Sequence, residues 1–227
     1  MLKSRVCNAG LLFVAVVLPA LAHDVITTKL TWNREISRIV YRRCAGCHNG
    51  GGAMSLMKYE EARPWAKSIR DQVVARSMPP WGAVKGVGSF LNDPSLTEVE
   101  IQMLVAWVEG GAPRGDGEAP RFLDHSDRQI PPAKAVPTNG EFRLDHPLTL
   151  LGLRPEGLDE RRSMLVDAWL PDGRVEHLIW LRDYRREWTR DYWFRTPMKL
   201  PAGTAVHTKA EGPAKVLLLV KDGAARP

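Results

Sequence analysis

The chain has 227 residues, 44% hydrophobic and 26% charged, with a formal net charge of +6 and a pI near 9.4. That length allows one large or two small domains. No basic run interleaved with aromatics occurs, which argues against a nucleic-acid-binding role, and after residue 22 no stretch resembles a transmembrane span.

Residues 1–22 carry an export pattern: basic Lys3 and Arg5, an apolar run over 11–18, and Ala20-Leu21-Ala22 as a small-x-small cleavage site. The run is too short to span a bilayer comfortably. Cleavage after Ala22 starts the mature chain at His23, removes Cys7, and takes the net charge from +6 to +4 by removing Lys3 and Arg5. The expected location is periplasmic or secreted. An uncleaved N-terminal anchor is the alternative. The mature chain keeps two cysteines, Cys44 and Cys47, so no disulfide framework is expected although the compartment allows one.

Residues 32–43 place Ile36, Ile39 and Val40 at helical spacing. That helix runs into Cys44-Ala45-Gly46-Cys47-His48. Two thiols at this spacing, followed by histidine, form the attachment sequence of a c-type haem. Cys44 and Cys47 would add to the two porphyrin vinyl groups, and His48 would ligate the iron from one side. The alternatives are a dithiol redox pair and half of a zinc site. Zinc needs further ligands, and no second CxxC or HxxxH exists. A thioredoxin-like pair belongs between a strand and a helix, whereas this box follows a basic helical segment.

Asn49-Gly50-Gly51-Gly52 reads as loop. A second helix is expected over 60–76, with Ala62, Trp65, Ala66, Ile69, Val73 and Val74 roughly on one face. Pro64 fits only near its first turn. Met78-Pro79-Pro80-Trp81 follows. The prolines fix φ and remove two donors, which stiffens the loop and can hold the Met78 thioether on the iron. A Met/His pair suits electron transfer. The alternative makes Met78 a core residue at the helix end. Met54, Met57 and Met103 are its rivals as ligand, and Trp81 is a candidate to pack on the haem edge.

The third helix is the best marked. Thr97 and Glu100 make a capping box, and Leu96 with Ile101 a hydrophobic staple. Ile101, Leu104, Val105 and Val108 form the expected buried stripe. Gly110-Gly111 and Pro113 end it. Short helices around a covalent porphyrin suit a unit of roughly 90 residues, which has too little core alone.

Residues 112–140 hold five prolines and no sustained apolar period, so they read as an extended linker. Phe122-Leu123 is a candidate docking point, and His125 is expected in solvent. Thereafter the period changes. Residues 163–170 and 175–181 flank Pro171-Asp172-Gly173, a hairpin signal. Residues 191–196, 206–210 and 215–220 supply further strands. An antiparallel sandwich is the simplest fold. His146, His177 and His207 sit on different strands or strand edges. They could converge on a metal, and as single histidines they read first as exposed or hydrogen-bonded. His23, as a mature N-terminus, could chelate copper only with a second histidine. Trp32, Trp65, Trp81 and Trp107 fall in the first half, and Trp169, Trp180, Trp188 and Trp193 in the second, mostly as core. Arg182, Arg185, Arg186, Arg190 and Arg195 form a basic cluster, read first as a solvated face.

The segments CAGCH, YEEARPW, MPPW and LTEVEIQMLVAWVEGGAP resemble the cytochrome c module of exported bacterial proteins that also carry a copper type II, ascorbate-dependent monooxygenase-like region. The resemblance covers about residues 36–115. It implies haem on Cys44 and Cys47, His48 as proximal ligand and Met78 as favoured distal ligand. The later segment, from PDGRVE through LPAGT, is similar to the C-terminal β-sandwich of those monooxygenases. Their copper is held by a His-x-His pair upstream of the hairpin and a later Met. Here the corresponding stretch reads Leu153-Arg154-Pro155-Glu156-Gly157-Leu158, so copper chemistry does not carry over.

The sequence therefore leads to a two-domain α + β protein: signal peptide 1–22, a small all-α cytochrome c domain over 23–115, a linker over 116–139 and an antiparallel β-sandwich over 140–227. The expected function is electron transfer between periplasmic redox proteins by one covalent haem c, with no catalysis and an accessory β-domain. The alternatives are a peroxidase-like haem enzyme or sensor, and an electron-supplying subunit of a copper monooxygenase.

Overall fold

The computed structural model describes residues 29–51, 54–123, 130, 132–138 and 140–221. The export segment, Cys7, His23 and His125 lie outside the described residues. The helical half starts with a π-helical turn, Trp32–Ile36, that runs into α1, Ser37–Arg43. Trp32, Ile36, Ile39 and Val40 are all buried, as the helical spacing predicts. The helix expected over 60–76 is broken into α2 (Tyr59–Ala62), a 3-10 turn (Arg63–Trp65) and α3 (Ala66–Val74). Pro64 lies in that turn, where its missing N–H and ring favour tighter winding.

Helix α4, Glu98–Glu109, is capped as its sequence predicts. The Glu100 N–H donates to Thr97 Oγ1 at 3.2 Å, and the Thr97 N–H to Glu100 Oε2 at 2.7 Å. Leu96 and Ile101 are both buried against the helical core. The buried stripe differs from expectation: Ile101, Leu104 and Trp107 are buried, while Val105 and Val108 only pack at its border. Trp107 can take that place because its Nε1–H donates to the Pro113 carbonyl at 2.9 Å, which satisfies its polar end. Gly111, at φ +87°, turns the chain after α4.

The expected linker does not leave freely. Trp32 and Asn33 donate their backbone N–H groups to Pro113 and Arg114, each at 3.0 Å. The Asn33 amide donates to the carbonyls of Gly115 and Gly117 at 3.1 and 2.6 Å. Phe122 packs edge-on to Tyr41. Past the undescribed residues the linker becomes strand β1, Ala133–Thr138. Its Ala-Lys-Ala-Val-Pro-Thr sequence lacks an apolar face, and Pro137 is tolerated because β1 is an edge strand.

Strands β2 (Glu141–Arg143), β3 (Leu148–Glu156), β4 (Met164–Trp169), β5 (Val175–Leu181), β6 (Tyr192–Leu200), β7 (Ala205–Ala210) and β8 (Lys215–Lys221) complete two antiparallel sheets. Their orders are β1-β8-β3-β6 and β2-β7-β4-β5. The β4–β5 hairpin matches expectation, with Gly173 at φ +86° in its turn. Strand β3 is unmarked in the sequence because it lies inside its sheet and reads as an apolar run rather than an alternation. Gly152 marks its bulge, where a Cβ would meet the Tyr192 carbonyl oxygen at 2.5 Å. The molecule is thus α + β, with one hydrophobic cluster among the helices and a second between the sheets.

Residues 81–91 connect the two. This segment follows Met78 and precedes α4, yet Trp81, Ala83 and Phe90 belong to the sandwich core. It crosses the side of the sandwich where β5 and β6 are edge strands. At β5, Val84 N–H donates to the Trp180 carbonyl at 2.8 Å, and just past the strand Arg182 N–H donates to the Gly82 carbonyl at 3.1 Å. On β6, Leu91 N–H donates to Trp193 at 2.7 Å and Arg195 N–H to Ser89 at 2.8 Å. Such a strap satisfies groups that open edges would leave exposed. Trp81 therefore packs on Phe90 and Tyr192 in the sandwich core, and it also lines the cavity that Met78 lines.

Candidate haem site

The box forms at the end of α1, where the helix tightens into turns. Cys44 N–H donates to the Val40 carbonyl at 2.8 Å, and the N–H groups of Cys47 and His48 both return to the Cys44 carbonyl, at 3.1 and 3.0 Å. This short winding places two thiols and an imidazole on one small stretch of backbone. Cys44 packs against the helical cluster, and Cys47 is exposed.

His48 is held from one side. Its Nδ1 lies 3.0 Å from the Met54 carbonyl oxygen. A carbonyl only accepts, so Nδ1 must carry the proton and Nε2 is left as the free donor atom for a metal. This is the outer hydrogen bond by which a metal-ligating histidine is usually oriented. Met54, a rival iron ligand by its sequence position, contributes its backbone carbonyl to this contact. The loop is closed by Leu56 N–H to the His48 carbonyl at 2.9 Å. Glu61 braces it, accepting from the N–H groups of Met57 and Lys58, each at 3.2 Å, and from the Ser55 hydroxyl. The Ser55 bond leads the causes that hold the Glu61 carboxyl below its usual pKa.

A second brace was not read from the sequence. Glu100, already bound to Thr97, accepts from Arg43 Nε at 3.1 Å and lies 3.1 Å from the Arg42 guanidinium. Burial pushes its carboxyl up, but the Thr97 N–H and the Arg43 guanidinium outweigh burial and hold it below the usual carboxylate range. The N-terminus of α4 is thereby tied to the residue that precedes Cys44.

Burial, with the neighbouring Cys47 adding to it, pushes the Cys44 thiol up to about 12. A dithiol redox centre needs the opposite shift, toward thiolate at neutral pH. Among the described residues no group of three or more His, Cys, Asp and Glu side chains is gathered. A haem iron takes its equatorial donors from the porphyrin and needs only axial ligands from protein. A prediction follows for protein prepared without haem. The free thiol in unfolded chain titrates near 9, and in the fold near 12. Stability is full below pH 9 and falls between 9 and 12, by up to about 1.4 kcal/mol per pH unit. Urea unfolding against pH checks this, and Cys44→Ala flattens the fall.

Met78 lies beyond α3, at a cis bond to Pro79, and is 42% exposed. It is therefore no core residue of the helix end. It lines an open cavity of about 510 Å³ together with Val73, Leu96 and Ile101. Cys44, Cys47 and His48 are not among the residues lining that cavity. Met57 and Met103 pack in the helical half, Met103 against its core. Met54, Trp65, Val74 and Met78 leave 42–58% of their surface exposed in this half. A porphyrin is the kind of flat apolar body that such side chains can cover. The free Nε2 of His48 and these exposed apolar side chains fit a haem.

Two of the three histidines of the β-domain share a neighbour, since His177 of β5 and His207 of β7 both lie opposite Asp167 of β4. His146 is exposed in the turn between β2 and β3. His177 Nδ1 is 2.6 Å from Asp167 Oδ1, and the His207 ring rests on Trp169 with centroids 5.2 Å apart. In the stretch compared with the copper pair, Leu153 and Leu158 are buried and Arg154 forms a two-point ion pair with Asp191 at 2.5 and 3.0 Å. Among the described residues no helix is long and apolar enough to cross a membrane. No family model matches this chain, and no curated protein sequence matches it.

Proposed function

We propose that the protein is an exported single-haem cytochrome c that carries electrons between periplasmic redox proteins. The observation that carries this reading is the CxxCH turn with His48 Nδ1 engaged by the Met54 carbonyl and Nε2 free. Bound there, the haem supplies a one-electron Fe(III)/Fe(II) couple. Cys44 and Cys47 anchor it covalently. His48 presents Nε2 as proximal ligand, with the Met54 carbonyl fixing ring and tautomer. Met78, on the proline-stiffened loop, would offer its thioether as a second iron ligand. Side-chain ligands from both His48 and Met78 would leave substrate no place on the iron, which favours a carrier over an enzyme. The sandwich, joined to the Met78 loop by the strap, fixes that loop and presents a face to partners.

The spectrum of the purified holoprotein tests this. A low-spin haem with a Met-to-iron charge-transfer band is expected. Met78→Ala is expected to remove the band and to lower the reduction potential, while covalent haem content stays the same. A high-spin resting spectrum, or a band that survives Met78→Ala, would defeat the assignment and favour the peroxidase-like or sensing alternative.

A further inference from the structure

The arginine cluster of the β-domain is divided by the fold. Arg186 pairs with Asp159 at 2.7 Å, Arg190 lies over the Trp81 ring, and Arg195 donates to the Phe90 carbonyl at 3.1 Å. Arg182 and Arg185 remain, both on the loop after β5, and both line the cavity that Met78 lines. The other charges there are accounted for. Arg76 pairs with Glu98 at 2.6 Å, Lys85 reaches Ser95 and Asp93, and Asp183 pairs with Arg161 at 3.0 Å. Arg182 has no ion pair among the described residues. Among the described residues Arg185 has only Glu187, at 4.0 Å, and its buried Nε has no hydrogen-bond partner. A buried donor left unpaired is costly, and a guanidinium matches a carboxylate at two points. The Arg185 guanidinium is held over Trp188, 5.1 Å from the ring centroid, so it is positioned before any ligand arrives. Trp81, Leu96 and Ile101 supply apolar wall.

We propose that this junction cavity is a carboxylate-binding site, with Arg182 and Arg185 as its two cations and its apolar wall covering the body that bears the carboxylates. Two sources share that chemistry: the two propionates of the tethered porphyrin, and a free small carboxylic acid. The propionate source rests on the haem reading above, because a porphyrin ligated by Met78 brings its own rim to this cavity. In that case the β-domain completes the haem site from outside the helical unit.

The test uses the full mature holoprotein and two double variants, R182Q/R185Q and R182K/R185K. Covalent haem is measured by mass, and folding by circular dichroism. Potentiometric titration reads the propionate source. Loss of two cations beside the haem favours Fe(III), so R182Q/R185Q is expected to shift the equilibrium about tenfold, about 59 mV for one electron, and the lysine pair restores most of it. Calorimetric titration with benzoate reads the free source: saturable binding to wild type, lost in R182Q/R185Q. Either result establishes the site and names its occupant. Folded variants that show neither a shift nor a lost benzoate response overturn it. If the wild type carries no haem yet binds benzoate through these arginines, the haem reading fails and the site stands.

Discussion

Replacement of Cys44 and Cys47 together by alanine is expected to abolish covalently held haem. Protein from a host that matures c-type cytochromes should lose all haem retained after denaturation, and its mass should fall by one porphyrin. No other cysteine of the mature chain can substitute, because Cys7 precedes the expected cleavage site. Each single variant keeps at most one thioether bond. His48→Ala removes the proposed proximal ligand while leaving both thiols, so its haem, where attached, should lose the low-spin spectrum. The effect is expected to be large because the proposed covalent bonds and one proposed iron ligand all fall within five consecutive residues, 44–48. The raised thiol of Cys44 sharpens the contrast with a redox dithiol. If the wild type runs without haem on a denaturing gel and instead cycles between dithiol and disulfide, the central reading is wrong.

Phe90→Ala is expected to cost roughly 3–5 kcal/mol, the usual range for deleting a buried aromatic. Phe90 is 4% exposed and meets Trp81, Tyr192 and Phe194 at centroid distances of 5.8, 5.6 and 5.4 Å. Its backbone pairs with Phe194 of β6. Gly88→Ala should weaken the same strap by another route. Gly88 has φ +71°, and a Cβ there would run into the Leu178 carbonyl and approach Phe90 Cζ to 2.7 Å, so strain adds to steric clash. Val99→Ala, on the exposed face of α4, should stay within about 0.5 kcal/mol. Thermal unfolding measures all three, at roughly 2–4 °C per kcal/mol for a chain of this size. Equal midpoints for Phe90→Ala and Val99→Ala would mean that the strap does not hold the sandwich. Because the strap begins three residues after Met78, a loss of strap packing should also disturb the Met-to-iron band.

The features legible in the sequence are those whose partners are close in the chain. The box, the Thr97–Glu100 cap, the Gly111 stop and the Pro171-Asp172-Gly173 hairpin each depend on residues within a few positions, so their chemistry is written locally. Pro64 was legible as a constraint, though not as the three-part helix it produces. Strand β1 was hidden because an edge strand needs little apolar pattern, and β3 because a buried strand has no alternation to show.

The sequence alone determined the chemistry offered at residues 44–48 and the change of period from helix to strand. Only the tertiary structure decided where the chain around that chemistry goes. Trp81 and Phe90 are apolar in either setting, and nothing local distinguishes a helical core from a sandwich core. The choice is made by the open edges of β5 and β6, almost a hundred residues further on in the chain. The same is true of the Met54 carbonyl, which has no side-chain signature, and of the Arg43–Glu100 brace. It is also true of Arg182 and Arg185, the two of five clustered arginines that the fold turns toward the cavity lined by Met78. Burial and unpaired charge belong to the packed molecule, since they depend on which surfaces meet.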